Sequence, residues 1–202
     1  MPLIHKAIRL SYRHSLSLFA ALLMFQSPAE AAGPGSMARE LNSKPMYLRE
    51  GSATLAPFAH VKFCMASPDQ CRPTGGADLI DMTSDARDRI AAINVNVNRA
   101  IRPLADPPGQ EVWVIGGGAG SCHDYAVTKR EQLLQAGFSS RAIRLAVAYT
   151  GDGQGHAVVV IRTKQGDMVL DNRTDTIRRW DRTDLRWVKI ESSENPRFWV
   201  SL

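Results

Sequence analysis

Three residues of this chain have types and an order that could do nucleophilic chemistry: Cys122, His156 and Asp171. Cys122 ends a glycine-rich run, "GGGAGSC" (116–122), at the point where a helix is predicted to begin. A thiol attacks as the thiolate, and an ordinary cysteine ionises only at a pKa of about 8.5. A helix N-terminus carries about half a positive charge, and a neighbouring imidazolium stabilises the anion further. Glycines before the thiol let the backbone bend tightly and let a substrate chain approach. The amide of Cys122, unpaired in the first helical turn, can point at an oxyanion.

Such a thiol needs a base, and the base needs an orienting group. His123 follows Cys122 directly, and adjacent helical residues face different directions, so it is not expected to reach the thiol. His60 lies in a stretch without a clear pattern. His156 opens a predicted strand just after "TGDGQG" (150–155), and strand ends and loops are where catalytic groups commonly sit. The segments 156–163 and 167–171 read as a hairpin turned by "KQG" (164–166). One register sets Asp171 opposite His156, and another sets it opposite Val160. In both, the two side chains share a sheet face. Taken singly, each residue has a plainer reading: a packed cysteine, an edge histidine, a turn aspartate. Their joint order, helix-start Cys, strand-start His and next-strand Asp, fits nucleophile, base and orienter.

Other chemistries do not fit the glycine run. A phosphate-binding loop would continue into Gly-Lys-Ser/Thr, which Ser121-Cys122 does not supply. A dinucleotide fingerprint needs a parallel strand–loop–helix unit. Cys122 has no close cysteine mate for zinc, and "GDGQG" (151–155) lacks the acidic spacing of an EF-hand loop.

The elements that must hold these residues follow from periodicity. Over 84–101, Ala86, Ile90, Ile93, Val97 and Ile101 recur at helical spacing, with Ser84 as the expected cap and Pro103 as the stop. Asn94, Asn96 and Asn98 are expected on the wet face or bonded across to a neighbouring loop. "EVWVI" (111–115) reads as a short extended piece, and a second helix runs from Cys122 to about Ala136, closed by Gly137. Strand patterns follow at 143–149, 156–163 and 167–171, and Trp180, Trp187 and Trp199 are expected to close the core. Helices followed by antiparallel strands indicate an α+β fold, with helices packed on an antiparallel sheet.

The chain has 202 residues and a net charge of +5, without blocks of like charge, so nucleic acid is not an expected partner. Residues 1–31 read as a signal peptide. Lys6, Arg9 and Arg13 precede the apolar run 16–25, and Ala29 and Ala31 give a small-x-small end. That order predicts a periplasmic or secreted protein, with 32–59 as a flexible leader and 60–202 as the domain. In an oxidising compartment Cys64 and Cys71, which flank the turn-forming Pro68-Asp69, are the natural disulfide pair. Cys122 is then the odd thiol.

From Cys122 to Trp199 the chain resembles the bacterial transglutaminase-like cysteine proteinases, the LapG-like family. "CHDYAVTKREQLLQAGF", "IRLAVAYTGDGQGHAVVVIRT" and "GDMVLDNRTDTIRRW" carry the likeness, and "FCMASPDQCRP" and "VNRAIRPLAD" extend it to about residue 60. The resemblance implies a papain-like or transglutaminase-like core and a triad of Cys122, His156 and Asp171. It also implies a protein or peptide substrate, with a surface adhesin as one such target, cleaved through a thioester acyl-enzyme, and a membrane-bound regulator. In the family, acidic residues flanking the nucleophile help to bind calcium. Here those flanks are Ser121 and His123 and only Asp124 remains, so no cofactor or metal is expected. The same triad would also serve an acyltransferase or amidase, and the fold alone would serve a non-catalytic binding module.

Overall fold

The computed structural model describes residues 46–202; the predicted signal peptide and residues 32–45 of the leader lie outside the described residues. Part of residues 46–59, which the sequence assigns to the leader, is tied into the fold. Met46 bridges to Gly166, and β1 (Ala53–Thr54) pairs antiparallel with β9 (Trp199–Ser201). The packed region thus starts before residue 60.

Three helices follow. α1 (Phe58–Ala66) escapes periodicity because Phe58, Val61 and Met65 stay exposed while Ala59, His60, Phe63 and Cys64 are buried. The expected Cys64–Cys71 disulfide ties α1 to the 3-10 turn Pro68–Cys71. α2 (Ser84–Ala100) buries Ala86, Ile90, Asn94 and Val97. Its cap is Thr83, one residue earlier than expected, whose Oγ1 accepts from the Ala86 N–H at 3.2 Å. α3 (Cys122–Gln135) begins at Cys122, and Gly137, with φ 88°, ends it as expected.

The sheet has seven strands in the order β1-β9-β8-β4-β5-β6-β7, with β4 (Ile143–Tyr149), β5 (Gly155–Thr163), β6 (Gly166–Leu170), β7 (Arg178–Arg179) and β8 (Arg186–Glu191). All its pairings are antiparallel. One core lies between this sheet and the helices, built on Ile90, Leu133, Leu145, Val159, Ile161 and Trp199. A second lies on the other face, where Val158, Val160, Val169 and Ile190 pack with Trp180 and Trp187. Both faces of β4 and β5 are therefore buried, which explains their nearly continuous apolar sequences. This is the α+β arrangement expected, with helices packed on an antiparallel sheet.

Residues 111–115 form no strand; Trp113 is instead buried as a side-chain anchor. The pairing that positions the glycine run is a short parallel one, β2 (Arg102–Pro103) with β3 (Ala119–Gly120). It sets the chain leaving α2 beside the chain entering α3. Gly120 is needed there because a side chain would collide with the Asp124 carboxylate, which folds back to accept the Ser121 N–H at 2.8 Å.

Under the sheet lies a buried ionic network. Glu191 Oε1 faces His60 Nε2 at 3.0 Å, its Oε2 lies 3.3 Å from Arg130 Nε, and Oε2 also accepts the Leu145 N–H at 2.8 Å. His60 sits edge-on to Trp113 and Trp199. Its partners are therefore structural: Glu191 and the two indoles hold it.

Candidate active site

The β5–β6 hairpin settles a register the sequence left open, and it is neither of the two anticipated. Thr163 pairs with Gly166 and Val159 with Leu170 around a Lys164–Gln165 turn. Continued by one residue, this register would bring Asp171 opposite Val158, two residues from His156 and on the same face. His156 is the second residue of β5 and Asp171 follows the last residue of β6, so an antiparallel hairpin brings both to its open end. The imidazole closes the remaining offset: His156 Nε2 lies 2.9 Å from Asp171 Oδ1.

Cys122 reaches the same end from α3. Its Sγ accepts the Ala157 N–H at 3.4 Å, which ties the first turn of the helix to β5 beside His156. The structure therefore brings all three sequence-predicted residues together. Burial raises the Cys122 pKa, but hydrogen bonds from His123, His156 and the Ala157 amide outweigh it and lower the thiol to about 6. Burial lowers the His156 pKa, but the hydrogen bonds and charges of Asp171 and Cys122 raise it to about 9. Burial would raise the Asp171 pKa; His156 and Arg173 instead hold the carboxyl well below the usual carboxylate range. Between these values the thiol is an anion and the imidazole a cation. That ion pair is what a cysteine nucleophile needs.

Asp171 is held from several sides. Its Oδ1 also accepts the Arg173 N–H, and its Oδ2 accepts from Arg173 Nε and Nη2. Asn98 Nδ2 donates to the Asp171 and Thr174 carbonyls at 3.3 and 3.1 Å, and Asn94 Nδ2 donates to the Asp175 carbonyl at 3.0 Å. Both expectations for the asparagines are met: Asn94 and Asn98 reach across to this loop, and Asn96 faces water. The set opens into a cleft of about 820 Å³, lined among others by Phe58, Lys62, Trp113, Tyr149 and Lys189.

Sequence reasoning missed four neighbours. His123 was not expected to reach the thiol, yet its imidazole, buried at the first turn of α3, helps to lower the Cys122 pKa. The His123 ring stacks flat on Trp113, and its Nε2 lies 3.1 Å from Asp106 Oδ2 and 3.5 Å from Asp124 Oδ2. Asp106 comes from the proline-rich loop after α2, with no local signal to connect it to residue 124. Lys129, fully buried on α3, has no hydrogen-bond partner for Nζ among the described residues. Burial lowers it to about 7 against the charges of Asp171 and Asp175. Arg173 stands two residues beyond Asp171, a closeness the sequence did display.

The sequence model of the family described as bacterial transglutaminase-like cysteine proteinase, BTLCP, matches residues 50–202. Among solved structures, the fold is similar to calcium-bound Legionella pneumophila LapG, with a TM-score of 0.51, 22% identity, and coverage of 56% of this chain and 68% of that one. A second Legionella pneumophila LapG structure gives a TM-score of 0.50 at 23% identity, covering 56% and 66% of the two chains. No curated protein matches.

One expectation is overturned. The sequence, reading only the flanks of Cys122, assigned no cofactor; yet one of these similar structures is of LapG with calcium bound. The flanks were the wrong place to count acids. Asp106, distant in sequence, is folded against Asp124, and their ligand atoms with that of His123 lie within 4.8 Å of one another. Asp106 Oδ2 is buried and receives no hydrogen bond among the described residues. Carboxylate oxygens are what a hard cation takes, so Asp106 and Asp124 suit one, while His123 supplies a nitrogen in place of a third oxygen. The resemblance drawn from the sequence blocks holds: this chain belongs to the bacterial transglutaminase-like cysteine proteinases, a family of cysteine peptidases.

Proposed function

We propose that this chain is an exported cysteine protease that hydrolyses a peptide bond of a protein substrate, such as a surface adhesin, using Cys122, His156 and Asp171. The observation that carries the reading is the meeting in one cleft of Cys122, whose Sγ accepts the Ala157 N–H at 3.4 Å beside His156, and of His156, whose Nε2 lies 2.9 Å from Asp171 Oδ1. The Cys122 thiolate attacks the carbonyl carbon of the scissile peptide, and the first-turn amide of Cys122 faces the developing oxyanion. The C–N bond then breaks, and His156 gives its proton to the leaving amine. The acyl group stays on Cys122 as a thioester. Neutral His156 next takes a proton from water, whose oxygen attacks the thioester, and the acid and the thiol are released. Asp171 keeps Nε2 of the ring engaged, so that Nδ1 serves the thiol. The disulfide and the basic–apolar N-terminal order support export.

Asp106 and Asp124 would hold a calcium ion, whose coordination would tie the loop carrying Asp106 to the first turn of α3 next to the thiol. Calorimetric titration with calcium, compared between the native chain and Asp106→Asn, tests this; equal binding by both would remove it.

The protease reading is tested by incubating mature protein with exported proteins beside Cys122→Ala. New fragments with free ends are expected only with the intact thiol. New amides in place of hydrolysed ends would make the enzyme an acyltransferase.

A further inference from the structure

Arg173 is an exposed cation whose guanidinium joins two carboxylates. Nε and Nη2 donate to Asp171 Oδ2 at 3.0 and 2.8 Å, while Nη1 and Nη2 donate to Asp184 Oδ2 and Oδ1 at 2.9 and 2.7 Å. Its backbone N–H donates to Asp171 Oδ1 at 2.9 Å. Exposed ion pairs generally contribute little, but this one differs in geometry. The fork engages two acids at once, and one of them, Asp171, is only 7% exposed.

We propose that Arg173 is a positioning residue for the reaction: anchored by Asp184, it grips one carboxylate oxygen of Asp171 and thereby turns the other onto His156. This rests on the triad reading above. The division of labour is visible in the hydrogen bonds. Oδ2 is occupied by the guanidinium, and Oδ1 is left to His156 Nε2 at 2.9 Å and to one backbone amide. A carboxylate on a short side chain at a strand end would otherwise rotate freely about its terminal bond.

The guanidinium also acts as a charge. It shares Asp171 with the imidazolium, so it withdraws part of the stabilisation that Asp171 gives to protonated His156. The other charged groups around the set are Cys122, His123 and buried Lys129 on α3, Asp152 in the loop before β5, and Asp175 and Asp184 beyond β6. Among the described residues, only Arg173 contacts Asp171 through a charged fork.

The test reads the rate of Cys122 alkylation by iodoacetamide against pH, in EGTA so that a bound cation does not contribute. Native protein should show an acid step from the thiol and an alkaline step from His156. In Arg173→Lys, which keeps the charge but loses the fork, the alkaline step should move down by about half to one pH unit as Asp171 loosens. An alkaline step in Arg173→Lys that stays at the native pH or moves up overturns the inference, whatever happens to the melting temperature. If Arg173→Lys does not fold, Asp184→Asn decides. Releasing the anchor should shift the alkaline step downward as Asp171 loosens, and an unmoved step overturns the inference. A native-like alkaline step that persists in His156→Asn would instead sink the triad reading itself.

Discussion

His156 and Asp171 meet at 2.9 Å although the hairpin does not set them directly opposite each other. The contact is made by side chains reaching across one pleat step at the open end of β5 and β6. Its value therefore depends on charge as well as on reach. Asp171→Asn preserves an acceptor oxygen but removes the anion that supports the imidazolium. We expect the alkaline limb of Cys122 alkylation to fall by about one pH unit or more, and peptide cleavage at neutral pH to fall at least about tenfold. A profile that overlays the native one would show that Asp171 does not support His156.

The pH dependence of the native enzyme follows from the same pair. The thiol loses its proton at about 6 and the imidazole keeps its own to about 9. Cleavage should rise through the first value, hold, and decline through the second, as measured by initial rates across buffers of constant ionic strength. A single rise with no plateau until about pH 8.5, the behaviour of an ordinary thiol, would contradict the ion pair.

Lys129 is expected to cost stability. Its folded pKa of about 7 lies below the ordinary lysine value of about 10.4, so folding expels a proton at intermediate pH. The penalty is absent well above the unfolded pKa, grows as pH falls toward 7, and is complete below it. Lys129→Met should raise the unfolding free energy by about 1–4 kcal/mol at neutral pH, and the gain should shrink toward pH 10. Chemical denaturation at several pH values measures it. A destabilised variant at neutral pH would mean that Lys129 is paired as a cation in the folded protein.

Glu191 has the opposite sign. Burial raises its pKa, but the Arg130 charge and the His60 hydrogen bond prevail and lower it. Its contribution is present above the unfolded carboxyl value, about 4.3, and is lost as pH falls through the lower folded value. Glu191→Gln leaves Arg130 buried without its counter-charge. It should lose about 3 kcal/mol at neutral pH, a difference that narrows in acid, as thermal melts would show. A neutral effect would mean that Arg130 finds another acceptor.

The chemistry-bearing order was legible in the sequence because each of its parts is local. A glycine run ahead of a helix, a strand opening at His156 and a second strand ending at Asp171 are written in consecutive residues. The helix patterns at 84–101 and 122–136 were legible for the same reason. They place Ile90 and Val97, and the whole stretch from Cys122 to Gln135, close to where the structure has them. α1 was not legible, because Phe58, Val61 and Met65 face outward and erase the periodicity that burial normally writes.

What the sequence determined, then, was the types and order of the reacting groups and the local elements that carry them, since those depend on neighbours along the chain. Only tertiary structure decided how the groups meet. The two-residue turn at Lys164–Gln165 chose a register that was not anticipated. The β2–β3 pairing drew the loop carrying Asp106 toward α3, and folding set Asp106 beside His123 and Asp124. The Arg173 fork divided the oxygens of Asp171 between two partners. These are contacts between residues that share no local pattern. Their geometry follows from packing and charge across the fold, which no stretch of chain encodes by itself.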